Sequence, residues 1–297
     1  MAFPVRACAL VGRFADPQVA EPLSVLVPHL VSRHITVLVS DETPLPAGMA
    51  GIVRLPTAEL AARADLVIAI GGDGTLLYAA GLVARHNVPL LGINRGRLGF
   101  LTDVMPEELV AQVDAALQGK LAADERPLLA ARLTHAGGIV TQVLALNDVV
   151  LQRLATGRMV DFESHVDDRY VNTHAGDGVV IASATGSTAY ALSCGGPIVA
   201  PDLDVFVMAP ISPHTLSDRP LIVSARSSIE LRLLERHDTR AQMVCDGVVC
   251  AEIEPGDRLR VKQASERVTL LHPLGHDFYR LLRSKLHWGR GSHDHSR

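Results

Sequence analysis

The sequence predicts an N-terminal α/β domain on a Rossmann-like parallel sheet, followed by a C-terminal β-rich, sandwich-like domain. Three observations predict it. Residues 1–121 alternate short apolar runs with amphipathic runs; residues 122–274 break into short β-branched runs separated by turn signals; and 48% hydrophobic against 20% charged residues is the balance of an ordinary globular protein. At roughly 100–200 residues per domain, the length suits two domains. A tail, 275–297, is expected to pack back on the first domain.

The first apolar run, 7–11, reads as a buried strand. Asp16-Pro17 then signals a helix start, an N-cap with proline in the first turn. Val19, Leu23, Leu26, Val27, Leu30 and Val31 recur at three- and four-residue spacing, giving one apolar stripe up to about Arg33. Residues 35–39, 66–70 and 89–93 resume as strands, and 76–85 and 106–118 as helices. Beyond Asp124 the expected strands are 128–134, 139–146, 149–153, 162–166, 179–182, 205–209, 229–234, 258–261 and 268–271, mostly antiparallel. One helical interruption is expected at 187–193. After Pro273, the spacing of Phe278, Leu281, Leu282 and Leu286 predicts an amphipathic helix, and the final Gly-Ser-His-Asp-His-Ser stretch is expected to be disordered.

Charge and cysteine content exclude several functions. The net charge is −4, with 9 basic and 11 acidic groups in residues 1–121 and 19 and 21 in the remainder, so neither part has the basic excess of a nucleic-acid binder. Cys8, Cys194, Cys245 and Cys250 match no zinc spacing and read as reduced thiols of a cytoplasmic chain. The charge-free window 178–201 is too rich in Ser, Thr, Gly and Pro to span a bilayer, and the N-terminus has no signal-peptide pattern. His287, His293 and His295 read as solvated residues rather than metal ligands, and no metal ligand is assigned.

The most informative stretch is 66–77, a buried strand that runs into Gly71-Gly72-Asp73-Gly74-Thr75 and then a helix. Such a turn, beyond the carboxyl end of a parallel strand, presents helix N–H groups to phosphate. Glycine allows close backbone approach, and Thr75 is placed to cap the helix. Asp73 is the odd member, because a carboxylate opposes phosphate unless it binds a cation or accepts a proton from an attacking hydroxyl. The plain alternative is a Gly-rich turn with Asp73 as N-cap.

Downstream lie Gly99-Phe100-Leu101-Thr102-Asp103, Asn147-Asp148, Gly176-Asp177-Gly178 and Thr185-Gly186-Ser187-Thr188-Ala189-Tyr190, followed by Gly195-Gly196-Pro197. With these in order, the chain resembles the NAD kinase family over roughly residues 60–275. Gly-Gly-Asp-Gly-Thr alone is only moderately specific, since lipid kinases and phosphofructokinases carry similar turns; Thr-Gly-Ser-Thr-Ala-Tyr is highly specific.

The resemblance implies ATP-dependent phosphorylation of the adenosine 2′-hydroxyl of NAD+, giving NADP+, with Mg2+ or another divalent cation. It implies Asp73 as proton acceptor or orienter of that hydroxyl, and Gly71, Gly72, Gly74 and Thr75 as phosphate cradle. Asn147 and Asp148 would bind NAD, with Phe100 beside adenine and Thr185, Ser187, Thr188, Ala189, Tyr190 and Ser193 at the dinucleotide. Arg158 and Asp177 are further candidate contacts. For each a plain structural role stands beside the functional one: a β-turn for Asn147-Asp148 and for Asp177, a core aromatic for Tyr190, a solvated arginine for Arg158. The expected site is the cleft between the domains, the expected assembly a homodimer or homotetramer, and the expected partners small molecules only, neither nucleic acid nor membrane.

Two positions depart from the family pattern. Ala175 stands where many bacterial relatives have Arg, Lys or Gln, and Val248 where many have Gln. No polar ligand role is carried onto Val248, and use of NADH stays open. Two rivals remain at this stage: a lipid kinase sharing the Gly-Gly-Asp-Gly-Thr turn, which leaves 185–190 unexplained, and a pyridine-nucleotide sensor without transfer.

Overall fold

The structure is a computed structural model that describes residues 5–96, 99–154, 159–235 and 239–288. The chain forms two units, Met1–Glu125 with Val268–Arg297, and Arg126–Arg267.

The first unit runs β1 (Ala7–Gly12), α1 (Pro17–Ser32), β2 (Thr36–Ser40), β3 (Ile52–Leu55), α2 (Thr57–Arg63), β4 (Leu66–Ile70), α3 (Asp73–Val83), β5 (Leu90–Ile93) and α4 (Leu109–Leu117). Its strands are all parallel in the order β3-β2-β1-β4-β5. Leu270 and Leu271, near the chain's end, add a further parallel segment beside Leu90 and Leu91. β4 is buried at every position because helices cover both of its faces. On one face α1 and α4 bring Leu23, Leu26, Leu30, Leu109 and Val113 onto Leu10, Val37, Ile68 and Ile93. The Asp16 side chain caps α1 by accepting the Gln18 N–H. Val31 does not belong to the buried stripe: it is 40% exposed, because the stripe rotates off the core in the last turn.

In the second unit β6 (Ala122–Thr134), β7 (Val140–Ala145), β8 (Asp148–Arg153), β9 (Val160–Val166), β10 (Arg169–Gly176), β11 (Gly178–Ser183), α5 (Tyr190–Ser193), β12 (Val205–Ile211), β13 (Leu221–Ser224), β14 (Ile229–Leu233), β15 (Ala241–Cys245), β16 (Val248–Ile253) and β17 (Arg258–His272) follow, the first and last strands reaching into the first unit. One antiparallel sheet has the order β13-β12-β11-β8-β15-β16. The other contains β10-β9-β14-β17, with β6 pairing β17 and β7. Leu133, Leu151, Phe162, Ile181, Leu231 and Met243 meet in the core between the two sheets, which makes a sandwich.

The structure departs from expectation in several elements. Residues 258–261 and 268–271 are one strand, since the stretch between them alternates out of the core without breaking the ladder. The helix expected at 187–193 is a 3-10 turn, Thr185–Thr188, and then the short α5, broken at Ala189 (φ −99, ψ −128). β3, α2, β10, β13, β15 and β16 were not expected. The tail helix is α6 (Phe278–Leu286), capped by Asp277 and buried through Leu281 and Leu282. The four cysteines are unpaired. Among the described residues, no helix is long and apolar enough to cross a membrane.

Candidate active site

In the first unit, β4 delivers the Gly71-Gly72 turn to the start of α3, whose N-cap is Gly72. Thr75 is therefore not the cap, contrary to expectation: α3 begins three residues earlier than the apolar run suggested, and the Thr75 side chain lies against Gly71. The helix geometry leaves the N–H groups of Asp73 and Gly74 without intrahelical acceptors, at the positive end of the helix dipole.

The Asp73 carboxylate is held by the Gly99–Thr102 segment. Its Oδ2 accepts the Phe100 N–H (2.9 Å), while Oδ1 accepts the N–H groups of Leu101 (3.1 Å) and Thr102 (3.2 Å) and the Thr102 hydroxyl (3.1 Å). Two motifs 26 residues apart are thus one device, an anion-holding turn and its anion. A carboxylate has about four acceptor positions, two per oxygen, so Oδ2 retains a lone pair. Gly99 is required here, because a Cβ at that position would meet Asp73 Oδ1 and the Thr102 hydroxyl. Gly99→Ala is expected to lower turnover at least ~10-fold through misplacement of Asp73, with an unchanged circular dichroism spectrum; unaltered steady-state kinetics would count against the turn. Buried Asn94 supports it from below, donating to Thr102 O (3.1 Å) and accepting the Gly96 N–H (2.7 Å). Phe100 is half-buried, with the Lys285 ammonium 5.9 Å from its ring centre.

In the second unit, Asn147 and Asp148 are 8% and 6% exposed. Their backbone is gripped by Asp246, in the β15–β16 turn, whose carboxylate accepts the N–H groups of Leu146 (2.7 Å), Asn147 (2.8 Å) and Asp148 (3.1 Å). Sequence reasoning missed Asp246, since its partners are backbone groups about 100 residues away. Asp246→Ala leaves those three amides unpartnered and should cost about 2–5 kcal/mol in urea unfolding; a cost below ~1 kcal/mol would contradict this role.

From the other side, Ser183 Oγ donates to Leu146 O (2.6 Å) and Gly186 packs so tightly on the Asn147 backbone that no Cβ fits. Asn147 Oδ1 is buried without a hydrogen-bond partner. Burial, reinforced by the charge of Asp246, raises the Asp148 carboxyl to about 7. Burial raises the Asp246 carboxyl as well, but its three N–H donors oppose that rise, so Asp148 takes the proton of this pair.

The Thr185–Tyr190 segment divides by role. Ser187 is fully buried; its hydroxyl donates to Ala184 O (2.7 Å) and accepts the Val199 N–H (3.0 Å), so its capacity is used inside the fold. Thr185 receives a hydrogen bond from buried Arg126 (3.1 Å). Thr188 and Tyr190 are more accessible. Partial burial, with Cys194, Asp177 and Asp148 nearby, raises the Tyr190 phenol, which places Asp177, Asp148 and Tyr190 in one neighbourhood. Ala189 forms the break between the two helical pieces, and Ser193 ends α5. Asp177 pairs with Arg153 (2.6 Å) between β10 and β11. Arg158 lies outside the described residues.

Two family descriptions match the chain: "ATP-NAD kinase N-terminal domain" over residues 28–121 and "ATP-NAD kinase C-terminal domain" over 146–272. The NAD kinase of Nitrosococcus oceani is 41% identical over 290 residues, spanning 98% of this chain and 99% of that protein. That of Pseudomonas putida is 41% identical over 284 residues, spanning 96% of each. Among solved structures, yeast NADH kinase complexed with NADH is similar in fold at a TM-score of 0.90 and 23% identity, over 99% of this chain and 90% of that one. An NAD kinase from Archaeoglobus fulgidus in complex with ATP has a TM-score of 0.75 and 25% identity, over 95% and 98%.

Proposed function

The chain belongs to the NAD kinase family, and on that premise we propose that it transfers the γ-phosphoryl group of ATP to the 2′-hydroxyl of the adenosine ribose of NAD+, giving NADP+ and ADP. The observation that carries this reading is Asp73. Its carboxylate is fixed by four donors, and Oδ2 keeps one lone pair for an incoming hydroxyl. Asp73 orients the 2′-hydroxyl and accepts its proton as the phosphoryl group arrives, while the open N–H groups of the α3 start, with Gly71, Gly72, Gly74 and Thr75, receive phosphate oxygens. Most of the acceleration then comes from positioning and charge neutralisation.

The dinucleotide is read by the second unit. The orphaned Asn147 Oδ1 is an acceptor awaiting an N–H donor such as the adenine amino group. Asp148, Asp177, Thr188, Ala189 and Tyr190 supply the remaining contacts, with Phe100 against adenine. Mg2+ or another divalent cation would accompany ATP and would supply charge neutralisation at its phosphates.

The same reading places the protein in the cytoplasm as a homodimer or homotetramer. It is supported by exposed Leu221, Ile222, Val248 and Val249 on the two edge strands of one sheet, which light scattering would show paired or unpaired.

Incubating the chain with NAD+, ATP and Mg2+, and detecting product with an NADP-specific dehydrogenase, should give NADP+ in step with ADP. Dinucleotide binding without NADP+ would return the sensor reading.

A further inference from the structure

Among the described residues, one group of three ligating side chains converges that is not among those assigned to the transfer or to the dinucleotide: Asp103, His272 and His276. All belong to the first unit. Asp103 ends the Gly99–Asp103 segment, His272 is the last residue of β17, and His276 sits in the turn before α6. His272 and His276 stack with ring centres 4.0 Å apart, and both aim Nδ1 at the same oxygen, Asp103 Oδ2, at 3.0 and 2.7 Å.

We propose that Asp103, His272 and His276 form a binding site for a zinc-like divalent cation, distinct from the cation that accompanies ATP.

Two independent features support it beyond the convergence. The first is an unpartnered group: the Asp103 side chain is 8% exposed, and its Oδ1 is buried without a hydrogen-bond partner. The second is the proton arrangement on His272, whose side chain is 2% exposed. Its Nε2 makes no hydrogen bond and faces Asp124 Oδ2 at 3.6 Å. In a neutral ring only one nitrogen carries hydrogen. If Nδ1 donates to Asp103, Nε2 presents a lone pair to the Asp124 carboxylate, acceptor against acceptor. If Nδ1 instead offers its lone pair to a cation, Nε2–H points at that carboxylate, the carboxylate–histidine–metal arrangement of zinc sites.

The three ligand atoms lie within 4.8 Å of one another. A tetrahedral ion with ~2.0 Å bonds needs its ligands about 3.3 Å apart, so on binding the two nitrogen–oxygen distances, now 3.0 and 2.7 Å, open by about 0.3 and 0.6 Å while the two nitrogens adjust to the same spacing. Two imidazoles and one carboxylate select zinc or cobalt over magnesium, which demands oxygen ligands. The His276 side chain, 16% exposed, gives solvent access to an open fourth position. A bound ion would tie β17 and the turn before α6 to the segment that holds Asp73.

The test uses the full chain carrying His293→Ala and His295→Ala, so that the C-terminal histidines bind nothing. After chelation and dialysis it is titrated with Co2+, without nucleotide. One Co2+ per chain with visible d–d absorption, displaced by Zn2+, and a rise in Tm with Zn2+ are expected. His276→Ala, in a solvent-accessible turn, should keep its fold by circular dichroism and lose the absorption. Asp124→Asn should weaken binding 10–100-fold. Absence of stoichiometric binding, or binding unchanged in His276→Ala, would overturn the proposal and leave the two rings on Asp103 as a hydrogen-bonded strap.

Discussion

Asp73→Asn lowers the rate of NADP+ formation by about 10²–10⁴-fold and leaves NAD+ affinity within a few-fold. This is the expected result if Asp73 acts on the 2′-hydroxyl during transfer. The range is what loss of a positioned general base costs. The substitution preserves an oxygen for the N–H groups of Leu101 and Thr102 and for the Thr102 hydroxyl, while it removes the charge and turns an amide NH2 towards the Phe100 N–H, so three of the four hydrogen bonds that hold the turn remain. Steady-state kinetics with isothermal titration would separate the two effects. A variant retaining most of its kcat would eliminate Asp73 as the acceptor, and one that lost NAD+ binding as well would make it a binding residue.

Asp148→Asn gives the second large effect, with opposite signs in two measurements. Burial, with Asp246 beside it, raises the Asp148 carboxyl to about 7, against ~3.9 for an unfolded aspartate. The folded chain therefore binds this proton more tightly than the unfolded chain. Below about pH 4 the group is neutral in both states and costs nothing; between pH 4 and 7 its contribution falls as pH rises; above pH 7 the whole cost is present. A shift of about three units corresponds to roughly 4 kcal/mol as an upper figure. Asp148→Asn should thus be more stable than the parent at pH 8, and the difference should shrink towards pH 5 in paired urea titrations. NAD+ affinity should fall at least tenfold in the same variant, because a buried acid kept at such a cost is kept for the ligand. A pH-independent stability difference would contradict the raised carboxyl.

The parallel domain was legible because its strands are apolar throughout and its helices carry a clear stripe: β4 matches its expected bounds at both ends. The elements that escaped have weaker patterns. β3 is a four-residue edge strand with Val53 and Arg54 exposed, and β10 is exposed at Arg169, Tyr170, Val171 and Thr173, without a strict apolar–polar alternation. The β15–β16 hairpin was readable from Asp246-Gly247, both at positive φ as a two-residue hairpin turn requires, and went unread.

At the site, side-chain chemistry was visible where it sat inside a motif, as with Asp73 and Asn147-Asp148. What the sequence concealed was the means of holding them. Phe100, Leu101 and Thr102 hold Asp73 through backbone N–H groups, and Asp246 holds residues 146–148 in the same way. Backbone donors carry no residue-type signal, so only the fold reveals them. Asp103 and His272, 169 residues apart, meet only in the fold, where the end of β17 pairs with β5 and Val104, next to Asp103, bridges Ile93 at the end of β5.

The most direct test of the central claim is a crystal structure of the chain with NAD+ bound. The adenosine 2′-oxygen should lie about 2.6–3.2 Å from Asp73 Oδ2. A dinucleotide whose adenosine ribose sat more than ~6 Å from that carboxylate in every copy, beyond reach even through one water, would contradict the account.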